Sequence, residues 1–187
     1  TDFSLIRIEW SKDREHPEFT RLAVGPHLLI GGDNLDLALA RSAEAEFKHR
    51  GRKLAGKQWL SLLTQSHVIK ERVLSGEQTG SVNFTLAGAG SKVLAGTAKA
   101  SIDSEKIKQL LIDGFFPLVE ADEKPDEDST LGLSEAGLPF TRDAAVTRHL
   151  ALFLHENEVN PDAILFNGGT MKADCLRERL ATLHQHP

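Results

Sequence analysis

The chain has 187 residues, of which 40% are hydrophobic and 26% charged, with a formal net charge of −5. These values are ordinary for a globular protein. No broad basic face of the kind that binds nucleic acid is present, and no apolar run reaches the roughly 20 residues needed to cross a bilayer. Cys175 is the single cysteine, which excludes an internal disulfide and a cysteine zinc cluster. We therefore expect a cytoplasmic protein without nucleic acid or membrane partners.

The beginning of the chain predicts that it was cut from a longer protein. It starts at Thr1, its only methionine is Met171, and Thr1 leads directly into the strand-like run 3–10. A natural product would start at a methionine or at a processing site, and nothing here has the pattern of a signal peptide. An excised piece of a larger protein is the expectation.

Hydrophobic periodicity and the positions of glycine and proline predict ten elements in the order ββααββααβα, a mixed α/β chain. The predicted elements are strands 3–10 and 20–24, a helix to about His49 capped by Asp33 or Asn34, a helix 57–75 ended by Gly76, strands 81–86 and 92–100, a helix 107–119 that Pro117 kinks or ends, a helix capped by Thr141, a strand 163–166 buried on both faces, and a helix to Leu183.

Acidic residues are concentrated in one segment. Residues 120–135 contain seven acidic side chains and one lysine, a local charge of −6 that leaves +1 for the remainder. Because the surrounding residues 122–139 are polar and without periodicity, we expect an acidic loop there. Its first part, 122–129, should be a mobile excursion with few tertiary contacts.

Two glycine pairs stand before predicted helices. One is Gly31-Gly32, and the other is Gly168-Gly169, which follows the predicted strand 163–166. Glycines let a ligand approach the backbone, and the free N–H groups of a helix start favour negative charge. Each turn taken alone is equally consistent with a simple tight turn. Two of them flanking an inserted α/β unit favour a nucleotide site.

Five motifs, in this order, together resemble the DnaK-like (70-kDa heat-shock) chaperone family. Thr1-Asp-Phe-Ser4 resembles the tail of the family's second phosphate motif. Ile30-Gly-Gly-Asp-Asn-Leu-Asp36 resembles its Leu-Gly-Gly-Glu-Asp-Phe-Asp, and Glu46 to Lys53 is similar to the basic helix end that follows. Lys70-Glu-Arg-Val-Leu-Ser75 resembles the helix that touches adenine and ribose. Ile164-Leu-Phe-Asn-Gly-Gly-Thr170 resembles the adenosine motif Val-Leu-Val-Gly-Gly-Ser.

The resemblance implies an actin-like ATPase (ribonuclease H-like) α/β fold, of which this chain is a piece of the second lobe. Residues 1–35 and 159–187 would form part of the base subdomain of that lobe. Residues 36–158 would form the inserted upper α/β subdomain, with the acidic loop 122–139 as a departure from the family's spacing.

The resemblance also implies which residues meet the cofactors, ATP or ADP with Mg²⁺. Asp2 would belong to the magnesium–water network, and Gly32 would sit near ribose and phosphates. Arg72 and Ser75 would contact the adenosine end. The turn of Gly168, Gly169 and Thr170 would cup the α-phosphate and ribose, and Lys172 would stand where an arginine packs on adenine. No catalytic residue is expected in this chain, so it should be inactive alone while the parent hydrolyses ATP.

Some positions depart from the family pattern. A glutamate and a lysine that bracket the ribose become Val68 and Glu71, and Lys172 lacks the planar guanidinium that stacks on a purine. Arg72 and Lys172 also fit ordinary surface charges, and Asp2 fits a carboxylate at a strand edge.

The resemblance implies a parent that couples ATP to the binding of unfolded client proteins in the stress response, with a co-chaperone or nucleotide-exchange factor as further partners. Two alternatives stay open. One is a degenerate interaction module of the same fold without ATPase activity, which the departures at Val68 and Glu71 favour. The other is a small-molecule kinase of the same superfamily.

Overall fold

The computed structural model describes residues 1–13, 15–51, 53–87, 96–126 and 143–182. These form a mixed α/β structure with two separate two-stranded antiparallel sheets. The elements are β1 (Ser4–Trp10), β2 (Pro17–Val24), α1 (Gly32–His49), α2 (Gly56–Leu74), β3 (Ser81–Leu86), β4 (Ala98–Asp103), α3 (Ser104–Phe115), α4 (Val146–Glu156), a short 3-10 helix (Thr170–Lys172) and α5 (Asp174–Thr182).

The first sheet is the predicted N-terminal hairpin, β1 with β2. β2 begins at Pro17, three residues earlier than predicted, and a β-bulge lies between Leu5 and Ile6. Ile8 pairs with Phe19 and Trp10 with Pro17; the side chains of Ile8, Trp10 and Phe19 are all largely exposed. Paired residues share a sheet face. One face of this hairpin is therefore apolar and uncovered within the described residues.

The main core lies between the second hairpin and three helices. In β3 and β4 every second residue is buried, which is the period of a sheet with one face packed and one face in water. α1 packs on α2, β4 and α3, and α2 packs on β3 and α3. The buried side chains include Leu39 and Phe47 of α1, Leu62 and Val73 of α2, Phe84 of β3, and Ile107 and Leu111 of α3.

The start of α1 differs from the predicted cap. Gly31 is the N-cap residue, so the expectation of Asp33 or Asn34 in that role was wrong. Asn34 lies at the third helical position, where its Oδ1 accepts a 2.8 Å hydrogen bond from the Gly31 N–H. That back-bond satisfies a backbone donor in the manner of a capping-box glutamine. The helix therefore begins directly at the glycine pair.

The other helix ends follow local chemistry closely. Gly76 has a φ of +79°, the left-handed conformation that glycine adopts without penalty, directly after α2. The Asp103 side chain accepts from the Glu105 N–H at 2.9 Å and caps α3. α3 ends at Phe115, two residues before Pro117, which confirms that this proline ends the helix.

The acidic segment is described only as far as Asp126, and residues 127–142, with the predicted cap Thr141, lie outside the described residues. The described part is not isolated. Glu123 pairs with Arg148 at 2.6 Å, and the Asp126 N–H donates to Asp143 Oδ2 at 2.8 Å. These two contacts tie the described part of the predicted excursion to Arg148 of α4 and to Asp143, and its remaining residues, 127–129, lie outside the described residues. Asp143 also accepts from the Ala145 N–H at 2.8 Å and so anchors the start of α4.

The predicted strand 163–166 was wrong. These residues form no strand and join neither sheet. Leu165 is 96% exposed, whereas the prediction placed it in a sheet covered on both faces. An apolar run becomes a buried strand only when neighbouring strands supply backbone hydrogen-bond partners and other elements pack over its side chains. Within the described residues none does so here.

Candidate functional site

The two glycine turns approach each other at Gly32, beside Lys70. Lys70 of α2 donates from Nζ to the Gly32 carbonyl oxygen at 3.0 Å. A Cβ built on Gly32 would lie 3.2 Å from Lys70 Nζ and 3.2 Å from Thr170 Oγ1. Gly32 and Thr170 are therefore neighbours, although they lie far apart in the sequence. Of the predicted site residues, these two are brought directly together.

Lys70 belongs to a buried charged cluster that the sequence did not suggest. Its Nζ lies 2.7 Å from Asp36 Oδ1, and the two side chains are only 8% and 7% exposed. Asp36 Oδ2 pairs in turn with His67 Nδ1 at 2.9 Å, and His67 Nε2 lies 3.8 Å from Glu71 Oε1. Removing charge from water is expensive unless the charge is paired and hydrogen-bonded. The ion pair and the bond to Gly32 provide that compensation for Lys70.

The remaining predicted residues lie around the end of α2. Arg72 and Ser75 are exposed in its last turn, where Ser75 Oγ donates to the Arg72 carbonyl oxygen at 3.1 Å. The residues after Thr170 approach the same end, since Cys175 Sγ contacts the Leu74 carbonyl oxygen at 3.6 Å. Lys172 is exposed, and its carbonyl accepts from Arg177 at 3.1 Å. Within the described residues, none of the side chains of Arg72, Ser75 and Lys172 forms a hydrogen bond or an ion pair with Gly32.

The four glycines of the two turns differ in whether the structure requires glycine at their position. Gly168 has a φ of +100°, which L side chains rarely adopt, so the backbone alone explains it. Gly32 leaves room for Lys70 and Thr170. Gly31 has a φ of −164° and Gly169 a φ of −62°, which any residue adopts, and a Cβ at either would meet nothing within 4 Å. Neither strain nor packing among the described residues requires glycine at 31 or 169.

Asp2, the predicted magnesium contact, lies at the edge of the hairpin. Its Oδ1 is 2.6 Å from Nδ1 of His27, and both side chains are exposed. The hydrogen bond with His27 lowers the pKa of the Asp2 carboxyl, so this group stays ionised at neutral pH. No group of three histidine, cysteine or acidic side chains suited to a metal occurs in the part of the chain that the structure describes. A single ionised carboxylate fits a magnesium ion held mainly by water and phosphates.

A cleft of about 840 Å³ opens beside the first glycine turn. It is lined by much of the segment 27–37 and by Leu63, Thr64 and His67 of α2. Gly32 is the one predicted site residue among its lining, and Arg72 and Ser75, at the far end of α2, are not part of it. Asp36 and His67, which line it too, were missed because nothing in the local sequence pairs residues from two helices.

No protein-family model matches the chain, and no curated protein matches it. Among the described residues no helix has the length and apolar character that spanning a membrane requires.

Proposed function

We propose that the chain is part of the second lobe of an actin-like nucleotide-binding domain of the DnaK-like chaperone type, and that it binds the adenosine end of ATP or ADP. One observation carries the proposal. The two glycine turns that resemble the family's nucleotide motifs are adjacent at Gly32 and Thr170. Each contains a glycine, Gly31 or Gly169, that neither backbone strain nor packing among the described residues requires. Glycine without a structural reason is what close approach of a ligand to the backbone needs.

The polar groups near these turns suit such a ligand. The first N–H groups of α1 follow Gly31 and favour a negative phosphate. Thr170 Oγ1 makes no hydrogen bond within the described residues and is free to bind a ribose or phosphate oxygen. In this proposal the exposed side chains of Arg72, Ser75 and Lys172 supply further donors and cations for the ligand. Polar groups that converge on a ligand orient it in a pocket.

In this proposal the chain binds and orients, while hydrolysis belongs to the full-length protein. Magnesium supplies charge neutralisation of the phosphates when bound. Asp2 would hold water of the ion's shell, and the proposal assigns activation of the attacking water to residues of the full-length protein outside this chain. Client proteins, a co-chaperone and a nucleotide-exchange factor are the partners of the full-length chaperone in the proposal, and its compartment is the cytoplasm.

A second candidate is the interaction module without ATPase activity. Leu60 and Val68 are exposed and lie eight residues apart on α2, so both project from a similar side of that helix. Val68 stands where the family has a ribose-binding glutamate. Exposed apolar side chains at such positions favour contact with another protein over contact with a nucleotide. No observation among the described residues favours the small-molecule kinase.

The test is a calorimetric titration of the full-length protein with Mg-ATP and Mg-ADP, comparing the native protein with Gly169→Val. Because a side chain at 169 meets nothing in the fold, this variant should keep its thermal midpoint while nucleotide binding is abolished. Gly56→Val, at another open glycine where a helix begins, is the matched control and should bind normally. Normal binding by a folded Gly169→Val variant would refute the site. No binding by the native protein would favour the interaction module.

A further inference from the structure

Lys70 occupies a position where a lysine is expensive. It lies on the buried face of α2 with Ile69, Val73 and Leu74, and its ammonium group is almost completely removed from water. Replacing a buried ion pair by apolar residues of similar volume is often neutral or stabilising. A contribution to stability is therefore a weak explanation for the presence of a buried Lys70–Asp36 ion pair.

The geometry around the ammonium gives a stronger reason. Lys70 donates one hydrogen bond, to the Gly32 carbonyl oxygen at the start of α1, and its Nζ forms an ion pair with Asp36 of the same helix at 2.7 Å. A Cβ at residue 32 would lie 3.2 Å from Nζ and 3.2 Å from Thr170 Oγ1, closer than an ordinary van der Waals contact to both, so a side chain there would crowd Lys70 and Thr170. One ammonium group thus fixes the first glycine turn to α2 at the point where the second turn touches it.

We propose that Lys70 is a positioning residue of the nucleotide site, holding the Gly31-Gly32 turn against the Thr170 turn so that their open glycines face one ligand. The inference rests on the proposed function. It adds a residue that the family resemblance does not assign, and it gives Gly32 a role in accommodating Lys70. Preorganised turns bind more tightly because less ordering is left to occur on binding.

The test separates positioning from simple stabilisation. The double variant Asp36→Leu/Lys70→Met removes both charges and keeps the volume, so its thermal midpoint should stay near that of the native full-length protein. Its Kd for Mg-ATP should nevertheless rise by about tenfold or more, because the first turn is no longer held. The matched control, Asp113→Leu/Arg179→Met, removes an ion pair between α3 and α5 that touches neither glycine turn. Its Kd should not change.

The outcomes distinguish this inference from the function beneath it. If the native protein binds Mg-ATP and the folded Asp36→Leu/Lys70→Met variant binds it equally well, Lys70 has no positioning role and the nucleotide site stands. If the native protein does not bind, both proposals fall. Should that variant not fold, Asp36→Asn/Lys70→Gln replaces it, since glutamine is one bond shorter and cannot reach residue 36 and the Gly32 carbonyl together. Native affinity in this second variant would equally overturn the inference.

Discussion

Replacing Asp143 by asparagine should destabilise the protein by about 2 kcal/mol at neutral pH, the size of one lost hydrogen bond to a charged group. Asp143 is buried and accepts from the Asp126 N–H, the Ala145 N–H and Arg148. Asparagine keeps the volume of aspartate and one acceptor oxygen, but its NH₂ group is a donor and faces the N–H donors that bind the second carboxylate oxygen. The variant therefore loses the bond of Asp126 or that of Ala145 as well as the charge facing Arg148.

The pH dependence of this loss follows from the pKa of Asp143. Burial alone would raise that pKa, but the bonds from the Asp126 and Ala145 backbone and from Arg148 outweigh burial and lower it below the ordinary 3.8. Since folding lowers the pKa, the stabilisation is complete above the unfolded-state value and is lost as pH falls through the folded-state value. The difference between native protein and variant should therefore shrink below about pH 4.

Urea unfolding at pH 7 and at a series of acidic pH values measures both quantities. Asp122→Asn is the matched control, because Asp122 is exposed and has no hydrogen bond or ion pair in the described ranges. It should change stability by less than about 0.5 kcal/mol. A loss at Asp143 no larger than that at Asp122 would show that the anchoring of α4 is energetically unimportant. A loss that persists unchanged at the lowest pH would refute the electrostatic account.

Two further predictions concern stability. In urea unfolding of this chain, Phe84→Ala should lower the free energy of unfolding by about 3 to 5 kcal/mol, because it empties a fully buried position. Phe19→Ala, at a side chain that is 66% exposed, should lower it by less than about 1 kcal/mol. Equal losses of stability would mean that the apolar face of the hairpin is covered. Gly168→Ala should lower the stability of the protein by about 1 to 2 kcal/mol, because alanine is strained at a φ of +100°. Gly169→Ala should leave stability nearly unchanged, because its φ of −62° suits any residue. Similar thermal midpoints for the two variants would contradict the backbone explanation.

Sequence reasoning succeeded where structure is decided locally. The strand 81–86 was predicted with the bounds that β3 has, and Gly76 and Pro117 specified where two helices end. These outcomes depend on a residue and its nearest neighbours in the chain. The extent of α1 and α2 was predicted to within a few residues for the same reason.

The failed strand at 163–166 shows the limit of that reasoning. Apolar side chains in a row indicate that a segment is suited to a buried sheet, but the sheet itself comes from other segments. Among the residues that the structure describes, β1 and β2 pair only with each other, and Leu165 is exposed. Under the proposed function, strands that the described residues do not contain would cover this segment. A local pattern carries no information about whether such partners are present.

The Lys70–Asp36 pair was unpredictable for a related reason. A lysine within an amphipathic helix is normally placed on the water side, and its acidic partner belongs to a different helix 34 positions earlier. Only the packing of α1 on α2 brings the two together and makes burial of the lysine possible. Each residue alone reads as surface charge, so the sequence contained no signal for the cluster.

The glycines of the two turns show what structure adds to a motif. From the sequence, Gly31, Gly32, Gly168 and Gly169 are equivalent candidates for contact with a ligand. The structure separates them, since backbone conformation accounts for Gly168 and room for Lys70 accounts for Gly32. Gly31 and Gly169 are left with open space and ordinary backbone angles. If a nucleotide approaches these turns, side chains introduced at 31 and 169 should therefore block it without disturbing the fold, and that separation makes the proposed function testable.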